Sequence, residues 1–191
     1  MESFLVSTGL VAIAEIGDKT QLLALVLAAR YRRPVPIILG ILVATLANHA
    51  VAAWVGAFAA ELMGPALLRW TLGITFVAMA GWCLIPDEAN DAPSTASHAG
   101  AFIATTVAFF LVEIGDKTQL ATVALAARFS DLVLVTAGTT FGMMIANVPA
   151  VLFGDAIARR VRLALIRAIA ATGFAVLGGL ILLNIDGGML G

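Results

Sequence analysis

The eight residues EIGDKTQL occur at 15–22 and again at 113–120. Each copy carries two carboxylates (Glu15 and Asp18; Glu113 and Asp116), a lysine (Lys19; Lys117), a hydroxyl (Thr20; Thr118) and an amide (Gln21; Gln119). All the ligand atoms on offer are hard oxygens, which suit Mn²⁺, Ca²⁺ or Mg²⁺ better than Zn²⁺ or Cu⁺. Four acids against two lysines leave a net charge of two minus, which one divalent cation or two protons would balance. Metal and protons then compete for the same carboxylate oxygens, and the chemistry expected is exchange of one divalent cation for about two protons. On an uninterrupted helix Glu15, Asp18 and Lys19 share one face, and Gln21 continues the stripe. Gly17 and Gly115 remove bulk beside the acids, permitting close approach of another backbone or a local break in the helix. Asn48 and Asn147 offer two further amides, as ligands or as interhelical hydrogen bonds.

These groups sit in a very apolar chain. Of 191 residues, 61% are hydrophobic and 12% charged, and the mean hydropathy is +1.04. A soluble domain of this length would carry far more charge. Runs free of Asp, Glu, Lys and Arg cover 34–60, 70–86, 92–112, 132–154 and 168–185, at or near the roughly 20 residues that cross a bilayer core as a helix. They are continuous, not alternating, which excludes transmembrane strands. The fold class expected is all-α integral membrane, with six transmembrane helices near 3–28, 35–60, 67–85, 101–126, 132–155 and 166–184. The start, MESFLVSTGLVAIAE, has no basic n-region and reads as a retained first span. The single cysteine, Cys83, excludes an intramolecular disulfide and a cysteine-rich zinc site. No basic patch suggests nucleic acid.

The chain is duplicated. Residues 15–30 match 113–128 at 12 of 16 positions with an offset of 98, which also relates Gly40 to Gly138, Arg69 to Arg167, Phe76 to Phe174 and Gly81 to Gly179. Asn48 and Asn147 pair at an offset of 99, a one-residue slip. On that slip the counterpart of His49 is apolar, so His49 reads as packing or pore lining, not as a ligand. The domains expected are 1–85, a first three-helix repeat; 86–100, a flexible acidic linker; and 101–191, a second repeat. Three spans are an odd number, so the second copy must be inverted, as in many transporters. Arg30, Arg32, Arg33, Arg159, Arg160, Arg162 and Arg167 follow odd-numbered spans, against Arg69 and Arg128 after even ones. The positive-inside bias puts both termini on the non-cytoplasmic side.

The spans centre near 15 and 113, so both motifs lie at mid-membrane. There each unpaired Asp or Lys costs about 2.5–3.5 kcal/mol, which argues for function over structural glue. His98 reads as solvated linker, Asp155 as an ordinary helix-end charge, Met143, Met144 and Cys83 as core, and Gly178 and Gly179 as small residues able to support close helix packing or a homodimer.

Glu15-Ile16-Gly17-Asp18-Lys19-Thr20 and Glu113-Ile114-Gly115-Asp116-Lys117-Thr118 resemble the duplicated E-x-G-D-[KR]-[TS] motif of a family of small cation/proton exchangers. That family includes bacterial MneA-type manganese exporters and Golgi manganese/calcium transporters. The resemblance extends over the whole chain in span count and central acidic linker. It implies a proton-coupled exporter of Mn²⁺, or of Ca²⁺, in the bacterial inner (plasma) membrane. The acids Glu15, Asp18, Glu113 and Asp116 would bind the ion, which is transported substrate and not a cofactor. Three rivals stand beside it: a divalent-cation channel, a structural membrane subunit, and an intramembrane aspartyl enzyme. The last needs a G-x-G-D motif, and both copies lack its first glycine. No enzyme activity is expected.

Overall fold

The computed structural model describes residues 1–85, 100–154 and 163–185, and among them every regular element is an α-helix. In chain order these are α1 (Glu2–Glu15), α2 (Lys19–Tyr31), α3 (Pro34–Leu62), α4 (Pro65–Leu84), α5 (Ala101–Glu113), α6 (Lys117–Phe129), α7 (Leu132–Phe153) and α8 (Leu163–Leu182). The linker at 86–99, His98, Asp155 and the arginines at 159, 160 and 162 lie outside the described residues.

Among the described residues four helices are long and apolar enough to cross a membrane: α3, α4, α7 and α8. They follow from unbroken Ala/Leu/Val/Ile runs, and α3 and α4 open with proline in the first helical turn, where a missing N–H costs nothing. Pro149 inside α7 removes the bond to the carbonyl four residues before it. The expected continuous spans over 3–28 and 101–126 are instead each divided into two short helices, α1–α2 and α5–α6. The divisions fall within the EIGDKT motifs.

Polarity is inside out. Large apolar side chains such as Leu5, Leu39, Trp54, Trp70, Ile103 and Phe141 are exposed, while Glu15, Asp18, Glu113, Asp116 and Lys117 are buried. That is the arrangement a hydrocarbon surround favours, with charge kept to the bundle interior.

Helices pack through glycines, as expected where lipid gives apolar side chains no reason to cluster. Helix α1 lies on α7, and α5 on α3. A Cβ on Gly138 would meet Phe4 O at 2.6 Å and Ser7 Cβ at 3.0 Å; one on Gly40 would meet Phe102 O at 2.9 Å and Thr105 Cβ at 2.8 Å. These residues are 98 apart in every case, so the two halves make the same contact with their roles exchanged. Helix α4 packs on α8, where the Phe76 and Phe174 rings stack at 6.2 Å and Gly73 meets Gly178. Gly178 is therefore used within the chain, whereas Gly179 faces open space.

Candidate metal centre

Both motifs break their helices by the same means. Ile16 has φ −63° and ψ 117°, Gly17 has φ +84°, and Asp18 N donates to Glu15 O at 3.0 Å. Ile114 (φ −62°, ψ 121°), Gly115 (φ +77°) and the Asp116 N to Glu113 O bond of 3.1 Å repeat it. Each is a type II turn, whose third residue needs positive φ and therefore glycine. Asp18 and Asp116 are then the N-caps of α2 and α6, and Asp18 Oδ1 accepts from Lys19 N at 2.8 Å. In the new first turn Gln21 Oε1 accepts from Gly17 N (3.0 Å) and Gln119 Oε1 from Gly115 N (2.7 Å). Glycine turns the chain, aspartate restarts the helix, and glutamine clamps the turn. The expected single-face stripe of Glu15, Asp18 and Lys19 does not form, because the helix ends between Glu15 and Asp18.

The lysine works across the site instead. Lys19 Nζ lies 2.9 Å from Asp116 Oδ1, joining the first motif to the second. Carboxylate oxygens of Glu15, Asp18 and Asp116, all buried, lie within 4.8 Å of one another. Both oxygens of Glu15 are buried without a hydrogen bond, and its charged neighbours are Asp18, Glu113 and Asp116. Such a group of converging, buried carboxylate oxygens fits a hard divalent cation. The ends of α1 and α5 and the starts of α2 and α6 meet here, so half-helix dipoles of both signs face the site.

Glu113, the fourth acid, lies outside that group of three. It is fully buried, and its Oε1 accepts from Thr118 Oγ1 at 2.9 Å and lies 3.2 Å from His49 Nε2. Thr118 Oγ1 also reaches Asp116 Oδ2 at 3.3 Å. Thr20 is fully buried, its hydroxyl without a hydrogen bond. Gln21 Nε2 donates to Ala146 O (3.0 Å), tying α2 to α7. Asn48 Nδ2 donates to Phe110 O (3.1 Å) across to α5, while Asn147 Nδ2 stays within α7 on Met143 O (3.1 Å) and leaves Oδ1 buried without a partner. Lys117 is buried and lines a cleft with Asp18, Cys83 and Arg167.

His49, read from the sequence as packing or pore lining, meets Glu113, a contact the spacing did not foretell. Its counterpart at the common offset of 98 is Asn147, not an apolar residue: His49 faces Glu113, and Asn147 is the corresponding neighbour of Glu15. Matching asparagine to asparagine at 99 hid this relation, although the glycine and phenylalanine pairs at 98 bracket it.

A buried acidic cluster where two broken apolar helices meet is the arrangement of an ion-handling membrane protein. The chain belongs to the divalent cation/proton antiporter GDT1 family, whose model matches residues 3–91 and 101–187. It is 52% identical over 172 residues, 90% of this chain and 86% of the relative, to a Vibrio cholerae protein described as “Putative manganese exporter”. No solved structure matches the chain. Family and relative are those of a transporter, not an enzyme.

Proposed function

We propose that this protein exports Mn²⁺ from the cytoplasm across the bacterial plasma membrane in exchange for protons. The observation that carries the reading is the buried Glu15, Asp18 and Asp116 cluster, contributed by both motifs. Glu113 completes the four acids at the centre of the molecule. The ion is substrate, held by carboxylates that protons reoccupy after its release. Lys19 and Lys117 neutralise the cluster, Thr118, Gln21 and Gln119 hold it, Thr20 and Asn147 offer buried oxygens without a hydrogen bond, and Asn48 braces α3 against α5. The V. cholerae relative's name favours Mn²⁺ over Ca²⁺.

The architecture we infer is two inverted three-span repeats, with each broken helix pair, α1–α2 and α5–α6, counting as one span. Two observations support it. Contacts recur with the halves exchanged, as at Gly40 and Gly138; and Phe76 stacks on its own counterpart Phe174, as residues beside a two-fold axis do. The arginine distribution supports termini on the non-cytoplasmic side.

The test is Mn²⁺ and Ca²⁺ uptake into proteoliposomes under an imposed pH gradient, for the native chain, Asp18→Asn and Asp116→Asn. Gradient-driven Mn²⁺ flux lost in both variants is expected. Flux indifferent to the gradient would make the protein a channel.

A further inference from the structure

The two halves differ at the centre by one residue. At corresponding positions, 98 apart, stand His49 and Asn147, and the acids beside them are held differently. Glu113 is tethered on two sides, by Thr118 Oγ1 at 2.9 Å and by His49 Nε2 at 3.2 Å. Against an ionised carboxylate, which only accepts, Nε2 is the nitrogen that carries the proton. Glu15, the counterpart of Glu113, is held less closely: the Thr20 hydroxyl and both Glu15 oxygens are buried without a close hydrogen bond, and its amide neighbour Asn147 points Nδ2 at Met143 O. The outcome is visible in the cluster, where Glu15 converges with Asp18 and Asp116 and Glu113 does not.

Resting on the exchanger reading above, we propose that His49 is a positioning residue that sets cation selectivity by holding Glu113 out of the cation cluster, limiting the site to three carboxylates. Ligand number separates the candidate ions. Ca²⁺ takes roughly six to eight oxygens in flexible geometry, while octahedral oxygen sites of about six ligands serve Mn²⁺ and Mg²⁺. A fourth carboxylate released into the cluster would raise the oxygen count and the negative charge together, which benefits the larger ion. The histidine thus excludes Ca²⁺ by subtraction of a ligand, without touching the ion.

The experiment measures Mn²⁺ and Ca²⁺ binding by calorimetry on the full chain in detergent, with flux in proteoliposomes, for the native protein and four variants. His49→Asn copies the residue already accommodated in the other half. It should raise the ratio of Ca²⁺ to Mn²⁺ affinity by about tenfold. His49→Gln carries its amide N–H about as far out as Nε2, within reach of Glu113 where the shorter asparagine is not, and should retain the native ratio. Glu113→Gln added to His49→Asn should abolish the gain, since the released ligand is gone. Asn147→His supplies Glu15 with a tether and should weaken Mn²⁺ binding by about tenfold. A folded His49→Asn protein with an unchanged ratio, or with both affinities lowered alike, overturns the proposal. Should His49→Asn not fold, native Mn²⁺ affinity in Asn147→His overturns it instead. A native protein that binds neither ion defeats the exchanger reading itself, and with it this one.

Discussion

Lys19 Nζ and Asp116 Oδ1 are 2.9 Å apart although 97 residues separate them in sequence. The lysine of one motif neutralises the acid of the other, so the two halves are joined electrostatically at the place where the cation would sit. A hydrogen bond to a charged group is worth about 1.5–3 kcal/mol, and removing one partner leaves the other charge buried and uncompensated. Lys19→Gln should therefore lower unfolding stability in detergent by about that amount. In the double variant with Asp116→Asn the losses should fall short of additivity by about 1 kcal/mol. Additive losses would mean the pair contributes nothing.

Gly115→Ala isolates the backbone requirement of the turn. No atom lies within 4 Å of the Cβ it would add, yet its φ is +77°. The cost is then conformational alone, about 1–2 kcal/mol. Gly81→Ala, in a helix with equally open surroundings, should be neutral or stabilising by up to about 1 kcal/mol. Chemical denaturation of both variants gives the comparison.

Gly40→Ala and Gly138→Ala test the exchanged contacts. Each new methyl would press on backbone of the facing helix, Phe102 O in one half and Phe4 O in the other. Overpacking of this kind costs about 1–3 kcal/mol, and the two losses should be similar. A large loss at one site and none at the other would show that the equivalence does not extend to energetics.

Mn²⁺ affinity should fall as pH is lowered. The ion requires ionised carboxylates, each proton bound removes a ligand, and binding therefore releases protons. At low pH the site is protonated and the ion is lost; as pH rises the oxygens become available. Calorimetry in buffers of different ionisation enthalpy should count about two protons released per ion. Asp18→Asn should lower that count.

The membrane character and the helical class were legible in composition, because continuous apolar runs of bilayer length leave no other solution. The duplication was legible too, and with it the concentration of acids: the same carboxylates stand twice in greasy sequence, and three of the four converge in the folded chain. Even the helix break was half visible, since a glycine followed by an N-capping residue is a stop and a start. What local sequence could not decide was whether Glu15, Asp18 and Lys19 form a stripe or straddle a turn. A helix and a type II turn both accept those letters, and only the positive φ at Gly17 distinguishes them.

Partnership across the halves was decided by tertiary structure alone. Sequence spacing pointed Lys19 back to Glu15, four residues away, whereas the folded chain turns it toward Asp116. Likewise nothing local links His49 to Glu113, which is 64 residues distant. Both relations arise because α3 crosses the second half and α7 the first, so each half completes the other's site. The residue types determined which ion chemistry is possible; tertiary packing decided that Glu15, Asp18 and Asp116 converge while Glu113 pairs with His49 and Thr118.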